Sequence, residues 1–205
     1  MNFYYWVGYH FSRLAGRLLF RLRVIHRERM IQSGPVILAM NHQSYLDPPL
    51  AGTACDRPIY FLARRTLLDV PLLGRILPKL NVIPVNQEGV DRSAIKAVIR
   101  VLQAGNGVLV FPEGSRTLDG KIQAAEPGLG LVIAKTLAPV VPMRIFGARE
   151  ALPRCGGRRL RLVPITIVIG EPILFSAADL EPSGKNLYAA LSDRVMKAIS
   201  TLRLE

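Results

Sequence analysis

Short apolar runs alternate with helical segments along the chain, and this alternation restricts the fold more than any other feature. The runs suit strands that are buried on both faces. They lie at 36–40, 58–63, 82–85, 108–111 and 139–145, with a weaker edge strand at 23–29 and a longer strand at 160–169. Alternation of this kind predicts a single-domain α/β fold, in which a mixed, mostly parallel sheet is flanked by helices.

Composition limits the class of partner. Of the 205 residues, 50% are hydrophobic, the mean hydropathy is +0.26 and the formal net charge is +12. No apolar run approaches the ~20 residues that a membrane-spanning helix requires. A basic, apolar-rich chain is expected to bind an anionic partner, either a membrane surface or nucleic acid, although solvated arginines alone would give the same charge.

Residues 2–22 have the pattern of an amphipathic helix that begins with a cluster of aromatic residues. Its apolar stripe consists of Phe3, Val7, Phe11, Leu14, Leu18 and Leu22. Arginines along the flank and aromatics at the start are typical of a helix that lies in the lipid interface. A terminal helix packed against the domain is the alternative. We expect a membrane-interface helix at 1–22 before a domain at 23–205, with lipid contacts from Trp6, Phe11, Arg13, Arg17 and Arg21.

Two of the predicted strands end in polar stretches. The run at 36–40 leads into 41–47, with the sequence NHQSYLD, and the run at 108–111 leads into 111–117, with the sequence FPEGSRT. Because the carboxyl ends of parallel strands meet at one edge of a sheet, both stretches are expected to lie at the same crevice. A histidine near an aspartate in a turn can be a structural hydrogen bond, but the second polar stretch favours a catalytic site.

The side chains of these stretches suit a definite chemistry. Neutral His42 can take a proton at one ring nitrogen while Asp47 accepts from the other and fixes the tautomer. Arg116 can form a bidentate pair with a phosphate. Since neither a cysteine nor a Gly-x-Ser-x-Gly elbow offers an evident nucleophile, direct attack by a substrate alcohol on an activated acyl group fits better than an acyl-enzyme. Arg154 falls in a glycine-flanked basic loop and is expected to be solvated.

Four blocks of the chain resemble those of the glycerolipid acyltransferases, in the same order and at similar spacing. Residues 41–47 have the His-x4-Asp arrangement, and 111–117 are similar to the second signature. Residues 140–142 resemble the apolar-proline block and 81–86 the substrate block. Among members of this family, the chain is most similar to bacterial 1-acylglycerol-3-phosphate acyltransferases.

The resemblance implies a role for each residue. His42 would be the general base on the free hydroxyl of a lysophospholipid, with Asp47 orienting it. The acceptor would be bound by Glu113, Gly114, Ser115 and Arg116. Acyl-CoA or acyl-carrier protein would be the co-substrate, and no bound cofactor or metal is expected. The enzyme would work as a peripheral or monotopic protein on the cytoplasmic face of a membrane, expected to be the bacterial inner membrane.

One departure concerns the acceptor. The substrate block of the family usually ends in arginine, and the corresponding residue here is Gln87. We expect 1-acylglycerol-3-phosphate as acceptor and phosphatidic acid as product, with another lysolipid, such as a lyso-aminolipid, as the alternative. A non-catalytic basic module that binds membrane or nucleic acid is the alternative of a different class. The aromatics cluster in the first eleven residues rather than interleaving with basic residues, so nucleic acid is not expected.

Overall fold

A computed structural model describes residues 2–86, 91–154, 159–181 and 186–204. The helices of these ranges are α1 (Phe3–Phe20), α2 (Asp47–Gly52), α3 (Pro71–Ile76), α4 (Arg92–Gln103), α5 (Gly128–Thr136), α6 (Ala148–Ala151) and α7 (Leu187–Thr201). The strands are β1 (Arg23–Ile25), β2 (Val36–Met40), β3 (Ile59–Arg64), β4 (Val82–Val85), β5 (Gly107–Val110), β6 (Val140–Phe146) and β7 (Thr166–Ile169). Short 3₁₀ segments occupy Arg27–Arg29, Arg65–Asp69, Leu77–Leu80 and Ala177–Leu180.

The strands form one sheet in the order β1-β7-β6-β2-β5-β3-β4. Only the β6–β7 pair is antiparallel, and the other neighbours run parallel. The predicted mixed, mostly parallel α/β fold is therefore confirmed. Because β2 and β5 are direct neighbours and parallel, they end at the same edge of the sheet, as predicted from their apolar runs.

Strand β2 lies at the centre of the core. All of its residues are fully buried, which explains why its sequence is continuously apolar rather than alternating. Leu38 and Met40 pack on the side of α1 and α2, whereas Ile37 and Ala39 pack on the side of α4, α5 and α7. The end of β2 is thus held from both faces, and the loop that follows it starts from a fixed point.

Two strands are shorter than predicted. The strand expected over 160–169 begins only at Thr166, because Pro164 has no N–H to donate to a sheet neighbour. The Arg161 N–H donates to the Ala151 carbonyl instead, at 2.8 Å. The edge strand expected over 23–29 ends at Ile25 and is followed by a 3₁₀ turn.

Helix α1 has well-defined ends. The Asn2 side chain accepts a hydrogen bond from the Tyr5 N–H at 2.8 Å and caps the first turn. At the other end Arg21 adopts a left-handed conformation with φ of 44°, which stops the helix. Within the described ranges, no helix is both long and apolar enough to cross a bilayer.

The face through which α1 packs on the domain is not its apolar stripe. Tyr5, Gly16 and Phe20 are the buried residues of this helix. The stripe faces solvent instead from Phe3 to Leu18, with Phe11 71% exposed and Leu18 72% exposed, whereas Leu22 packs against the core. One face of the helix is therefore packed against the domain, while the apolar stripe is left uncovered. Contact of that stripe with a membrane stays a prediction. The division into 1–22 and 23–205 stays a prediction.

Candidate active site

The two polar stretches meet through the backbone of His42. The His42 N–H donates to Glu113 Oε1 at 2.8 Å, and the Thr117 N–H donates to the His42 carbonyl at 2.9 Å. Both bonds connect the loop after β2 to the loop after β5. The backbone of His42 is thus fixed on both sides by the second stretch, independently of its own side chain.

Asp47 orients the imidazole. His42 Nδ1 lies 2.8 Å from Asp47 Oδ2, and the same oxygen accepts from the backbone N–H groups of Gln43 at 2.6 Å and Ser44 at 2.7 Å. Asp47 is fully buried at the start of α2. Because an ionised carboxylate only accepts hydrogen bonds, this contact places the imidazole proton on Nδ1 and leaves the lone pair of Nε2 available.

The surroundings of His42 favour the neutral ring. Burial lowers the pKa of His42 below its ordinary value, and the nearby cations Arg116 and Arg154 lower it further, while Asp47 opposes this shift. The ring of Phe111 stacks on the imidazole, with 3.8 Å between centroids and 14° between planes. The side chain is only 13% exposed. A neutral, oriented imidazole of this kind can accept a proton at neutral pH.

Glu113 contacts the protein rather than an open space. Its Oε1 accepts from the His42 N–H, and its Oε2 accepts from the Gln123 N–H at 3.0 Å. Burial raises the pKa of the Glu113 carboxyl above its ordinary value, although both hydrogen bonds oppose the rise. These contacts are those of a residue that positions His42. The direct contact with the acceptor that the sequence predicted for Glu113 stays a prediction.

Gly114 forms the turn after Glu113. Its φ is +67°, a conformation that glycine adopts without strain, and its N–H donates to the Phe111 carbonyl at 3.0 Å. A Cβ at this position would come within 3.1 Å of the Glu126 side chain. Ser115 is half-buried and makes no hydrogen bond within the described ranges.

Arg116 is a partly buried cation with unused hydrogen-bonding capacity. Its guanidinium lies 3.8 Å from the ring centroid of Tyr45. Its Nε is buried and has no partner within the part of the chain that the structure describes. Burial lowers the pKa of Arg116, and repulsion from Arg64 and Arg154 lowers it further, so these cations lie near one another. Arginine in such surroundings suits a bidentate phosphate contact.

Arg154 is a residue of the site that sequence reasoning missed. The expectation of a solvated loop was wrong, since Arg154 is half-buried and its Nη1 donates to the Arg116 carbonyl at 2.9 Å. The loop is brought there by Ser44, whose hydroxyl donates to the Leu152 carbonyl at 2.7 Å. Nothing in the local sequence marks this contact, because it joins residues that are far apart in the chain. Tyr45 was also missed, although it stands within the first stretch.

The remaining predicted site residues are dispersed. Gln87 lies outside the described residues. Trp6, Phe11, Arg17 and Arg21 are exposed, whereas Arg13 is half-buried and donates to the Tyr9 hydroxyl at 3.0 Å. In the ranges that the structure covers, His, Cys, Asp and Glu side chains form no group of three or more that could hold a metal ion.

Comparison with known proteins is consistent with this arrangement. The family described as Acyltransferase matches residues 21–146, which include both polar stretches. The 1-acyl-sn-glycerol-3-phosphate acyltransferase of Bacillus subtilis is 26% identical over 205 residues, covering 95% of this chain and 96% of the relative. The chloroplastic 1-acyl-sn-glycerol-3-phosphate acyltransferase BAT2 of Brassica napus is 28% identical over 149 residues, covering 71% of this chain but only 43% of the relative.

A solved structure shares the fold. The crystal structure of the 1-acyl-sn-glycerophosphate acyltransferase PlsC from Thermotoga maritima superimposes with a TM-score of 0.75 at 25% sequence identity. The match covers 97% of this chain and 80% of the solved chain. Together with the family match over more than half of the sequence, these findings show that the chain belongs to the Acyltransferase family.

Proposed function

We propose that this protein transfers a fatty acyl group from an acyl thioester to the free hydroxyl of 1-acylglycerol-3-phosphate, giving phosphatidic acid. The observation that carries the proposal is the geometry of His42, whose Nδ1 lies 2.8 Å from Asp47 Oδ2 and whose Nε2 is available near the cation Arg116. Burial and the neighbouring cations lower the pKa of His42, which favours the neutral ring. Relatives from both bacteria and a plant chloroplast that are named for this activity support it. The thioester donor is acyl-CoA or acyl-carrier protein.

The reaction is a direct transfer. The acceptor hydroxyl gives its proton to His42 Nε2 as its oxygen attacks the thioester carbonyl carbon, and the C–O bond forms. The tetrahedral intermediate then collapses, the C–S bond breaks, and the thiolate takes the proton from the imidazolium. Asp47 stabilises the imidazolium between these steps. Because the nucleophile is the substrate itself, no acyl-enzyme is formed.

The acceptor phosphate is assigned to the cations beside the base. Arg116 supplies the principal contact, and Arg64 and Arg154 add positive charge around it. A lysolipid with another head group, such as a lyso-aminolipid, is the second candidate, because Gln87 stands where the family resemblance leads one to expect arginine.

Arg116→Ala is expected to raise the KM for 1-acylglycerol-3-phosphate by about 10- to 100-fold, which corresponds to the loss of charge-assisted hydrogen bonds. The KM for the acyl thioester should change little, because the cation is assigned to the acceptor alone. Steady-state kinetics with each substrate varied in turn measures both constants. The KM of Arg116→Lys for 1-acylglycerol-3-phosphate should lie between those of wild type and Arg116→Ala. Lysine keeps the positive charge but lacks the planar guanidinium that forms two parallel hydrogen bonds to a phosphate.

The matched control for this prediction is Arg100→Ala, which removes the same type of residue from an exposed position in the last turn of α4. It should leave both KM values unchanged. Equal increases in the two KM values of Arg116→Ala would contradict the assignment. Comparable wild-type kcat/KM for a lyso-aminolipid and for 1-acylglycerol-3-phosphate would overturn the proposed acceptor.

We further propose that α1 attaches the enzyme to the cytoplasmic face of the membrane, where anionic lipids lie. The exposed stripe of α1 supports this proposal, because a large, contiguous apolar surface that is exposed to solvent is typical of an interaction site. The segment 70–80, which contains α3, lies beside α1 and adds to the exposed apolar surface. The Asn2 side chain donates to the Lys79 carbonyl at 3.0 Å, and Lys79 Nζ lies 4.0 Å from the Tyr4 ring centroid. The exposed apolar residues of that segment are Val70, Leu72, Leu73 and Ile76.

Replacing both Phe11 and Leu18 with serine is expected to lower partition into phospholipid vesicles by at least about 100-fold, since each buried side chain of this size contributes about 1.5–3 kcal/mol. Vesicle co-sedimentation measures the change. Both side chains are exposed, so the thermal unfolding temperature should not fall. Deleting α1 is a poorer test, because Tyr5 and Phe20 belong to its buried face.

The matched control for the stripe is Leu174→Ser, because Leu174 is also 71% exposed but stands beyond β7 in the chain. It should leave vesicle partition unchanged. Partition of the double variant within about threefold of wild type, a difference of under 1 kcal/mol, would count against attachment through the stripe.

A further inference from the structure

We propose that a cavity beside α1 binds the phosphate headgroup of an anionic membrane phospholipid, at a site separate from the acceptor site. The cavity has a volume of about 220 Å³, several times the ~30 Å³ that one water molecule occupies in the liquid. It is lined by Arg13, Arg17, Leu22, Val24, Arg27 and Thr53. This inference rests on the proposed attachment of α1 to the membrane.

The charge of the cavity suits a phosphate. Three arginines line it, and the neighbouring carboxylate is Asp56. Asp56 pairs with Arg27 and lies 3.9 Å from Arg13, so it offsets one of the three positive charges. The side chain of Arg17 makes no ion pair or hydrogen bond within the described ranges. An arginine that is free to use its planar fork is well suited to a phosphate oxygen pair.

The position of the cavity suits a lipid rather than a solute. Arg17 directly precedes Leu18 of the exposed stripe, and successive residues of a helix are 100° apart around its axis. If the stripe enters the acyl region, Arg17 and the cavity mouth lie at the flank of the helix, where headgroup phosphates are found. Attachment through the stripe would therefore present lipid phosphates to the arginines.

The cavity is separate from the catalytic loop. Asp47 is the first residue of α2, and Thr53 follows the last one, so about 9 Å of helix lies between the active-site end and the cavity wall. Arg116, the residue assigned to the acceptor phosphate, does not line the cavity. A lipid bound here would be a component of the membrane surface rather than a substrate.

The test compares two arginines of the same helix. The full-length protein is titrated with phosphatidylcholine vesicles that contain or lack phosphatidylglycerol, using wild type, Arg17→Gln and Arg21→Gln. Arg21 is exposed at the helix end and does not line the cavity, so its loss should lower anionic-vesicle binding only about fivefold. Arg17→Gln should lower it about 50-fold, since a charge-assisted hydrogen bond is lost in addition. Binding to phosphatidylcholine alone should change much less for both variants, because the choline ammonium of that lipid offsets the charge of its phosphate.

Each other outcome is decisive. Equal losses for the two variants would mean that only general surface charge acts, and would overturn the cavity site while leaving membrane attachment intact. Failure of wild type to bind either kind of vesicle would refute the attachment, and the lipid site with it. Arg27→Lys, which keeps the charge opposite Asp56, should also weaken binding to the vesicles that contain phosphatidylglycerol, because it removes the planar guanidinium of Arg27 from the cavity.

A further experiment with soluble phosphate distinguishes a lipid headgroup from free inorganic phosphate as the ligand of the cavity. Thermal unfolding is followed with inorganic phosphate and with phosphatidylglycerol vesicles at equal phosphate concentration. The lipid site predicts a rise in Tm with vesicles that Arg17→Gln removes, and no comparable rise with inorganic phosphate. An equal rise with inorganic phosphate that depends on Arg17 would overturn the assignment to a lipid.

Discussion

His42→Ala is expected to lower kcat by about 10²–10⁴-fold, the usual contribution of a positioned general base. The substrate hydroxyl would have no group to receive its proton, while the binding residues would be unchanged. The loop should keep its path, because Glu113 and Thr117 hold the backbone of residue 42 rather than its side chain. Steady-state kinetics and circular dichroism check the two halves of this expectation. A kcat within tenfold of wild type in a folded variant would contradict the role of base.

The wild-type pH profile follows from the same group. The neutral imidazole is the active form, so kcat/KM should fall as the pH drops through the pKa of His42. Burial and the cations Arg116 and Arg154 hold that pKa below its ordinary value. The acid limb of the profile, where kcat/KM falls with decreasing pH, should therefore lie below pH ~6.5. The rate should therefore be on its plateau at neutral pH.

Asp47→Asn is expected to lower kcat by about 10⁴-fold, the loss seen when the carboxylate that orients a catalytic histidine becomes an amide. An asparagine amide can donate to Nδ1, which would move the imidazole proton to Nε2, the atom that must accept from the substrate. The change keeps the shape of the buried side chain, so the fold should be retained. Thermal unfolding measures this directly.

The pH profiles of two variants provide a control for this assignment, because Asp47 and Arg116 act on His42 in opposite directions. Asp47 raises the pKa of His42, so Asp47→Asn should move the acid limb to lower pH. Arg116 lowers that pKa, so Arg116→Ala should move the limb to higher pH. The profiles of kcat/KM for both variants measure these shifts. Movement of both limbs in the same direction would contradict the electrostatic assignment.

The sequence was sufficient for the architecture around the site. Strands β2 and β5 are buried and therefore read as continuous apolar runs, and their parallel pairing brings His42 and Arg116 to one edge. The histidine and aspartate are only five residues apart, so their contact could be predicted from local spacing. Local pattern and sheet topology thus gave the core of the site.

Other contacts depend on tertiary structure that the pattern does not encode. Glu113 binds backbone N–H groups at His42 and Gln123, and a carboxylate in a sequence does not reveal which donors will reach it. Arg154 reaches the site because Ser44 holds the preceding loop, which joins residues more than a hundred positions apart. Glu113 was predicted as a site residue from the sequence, but its hydrogen-bond partners, and the presence of Arg154 in the site, required the tertiary structure.

The packing of α1 illustrates a different difficulty. Hydrophobicity alone predicts that the apolar stripe faces the domain or a membrane, but it does not choose between them. The packed face contains Gly16, where a Cβ would lie 3.2 Å from Leu50, so a small residue permits close approach of the helix. Because that face includes a glycine and a tyrosine, it is less apolar than the exposed stripe and was not recognised in the sequence.

The most direct test of direct, His42-dependent acyl transfer follows the label of a radioactive acyl thioester. The purified protein is mixed with the thioester, with or without 1-acylglycerol-3-phosphate, and both the lipids and the protein are analysed for label. We expect labelled phosphatidic acid from wild type only when the acceptor is present, product formed at least about 100-fold more slowly by His42→Ala, and no label on the protein. Absence of phosphatidic acid with wild type, or label bound covalently to the protein when the acceptor is omitted, would contradict this account.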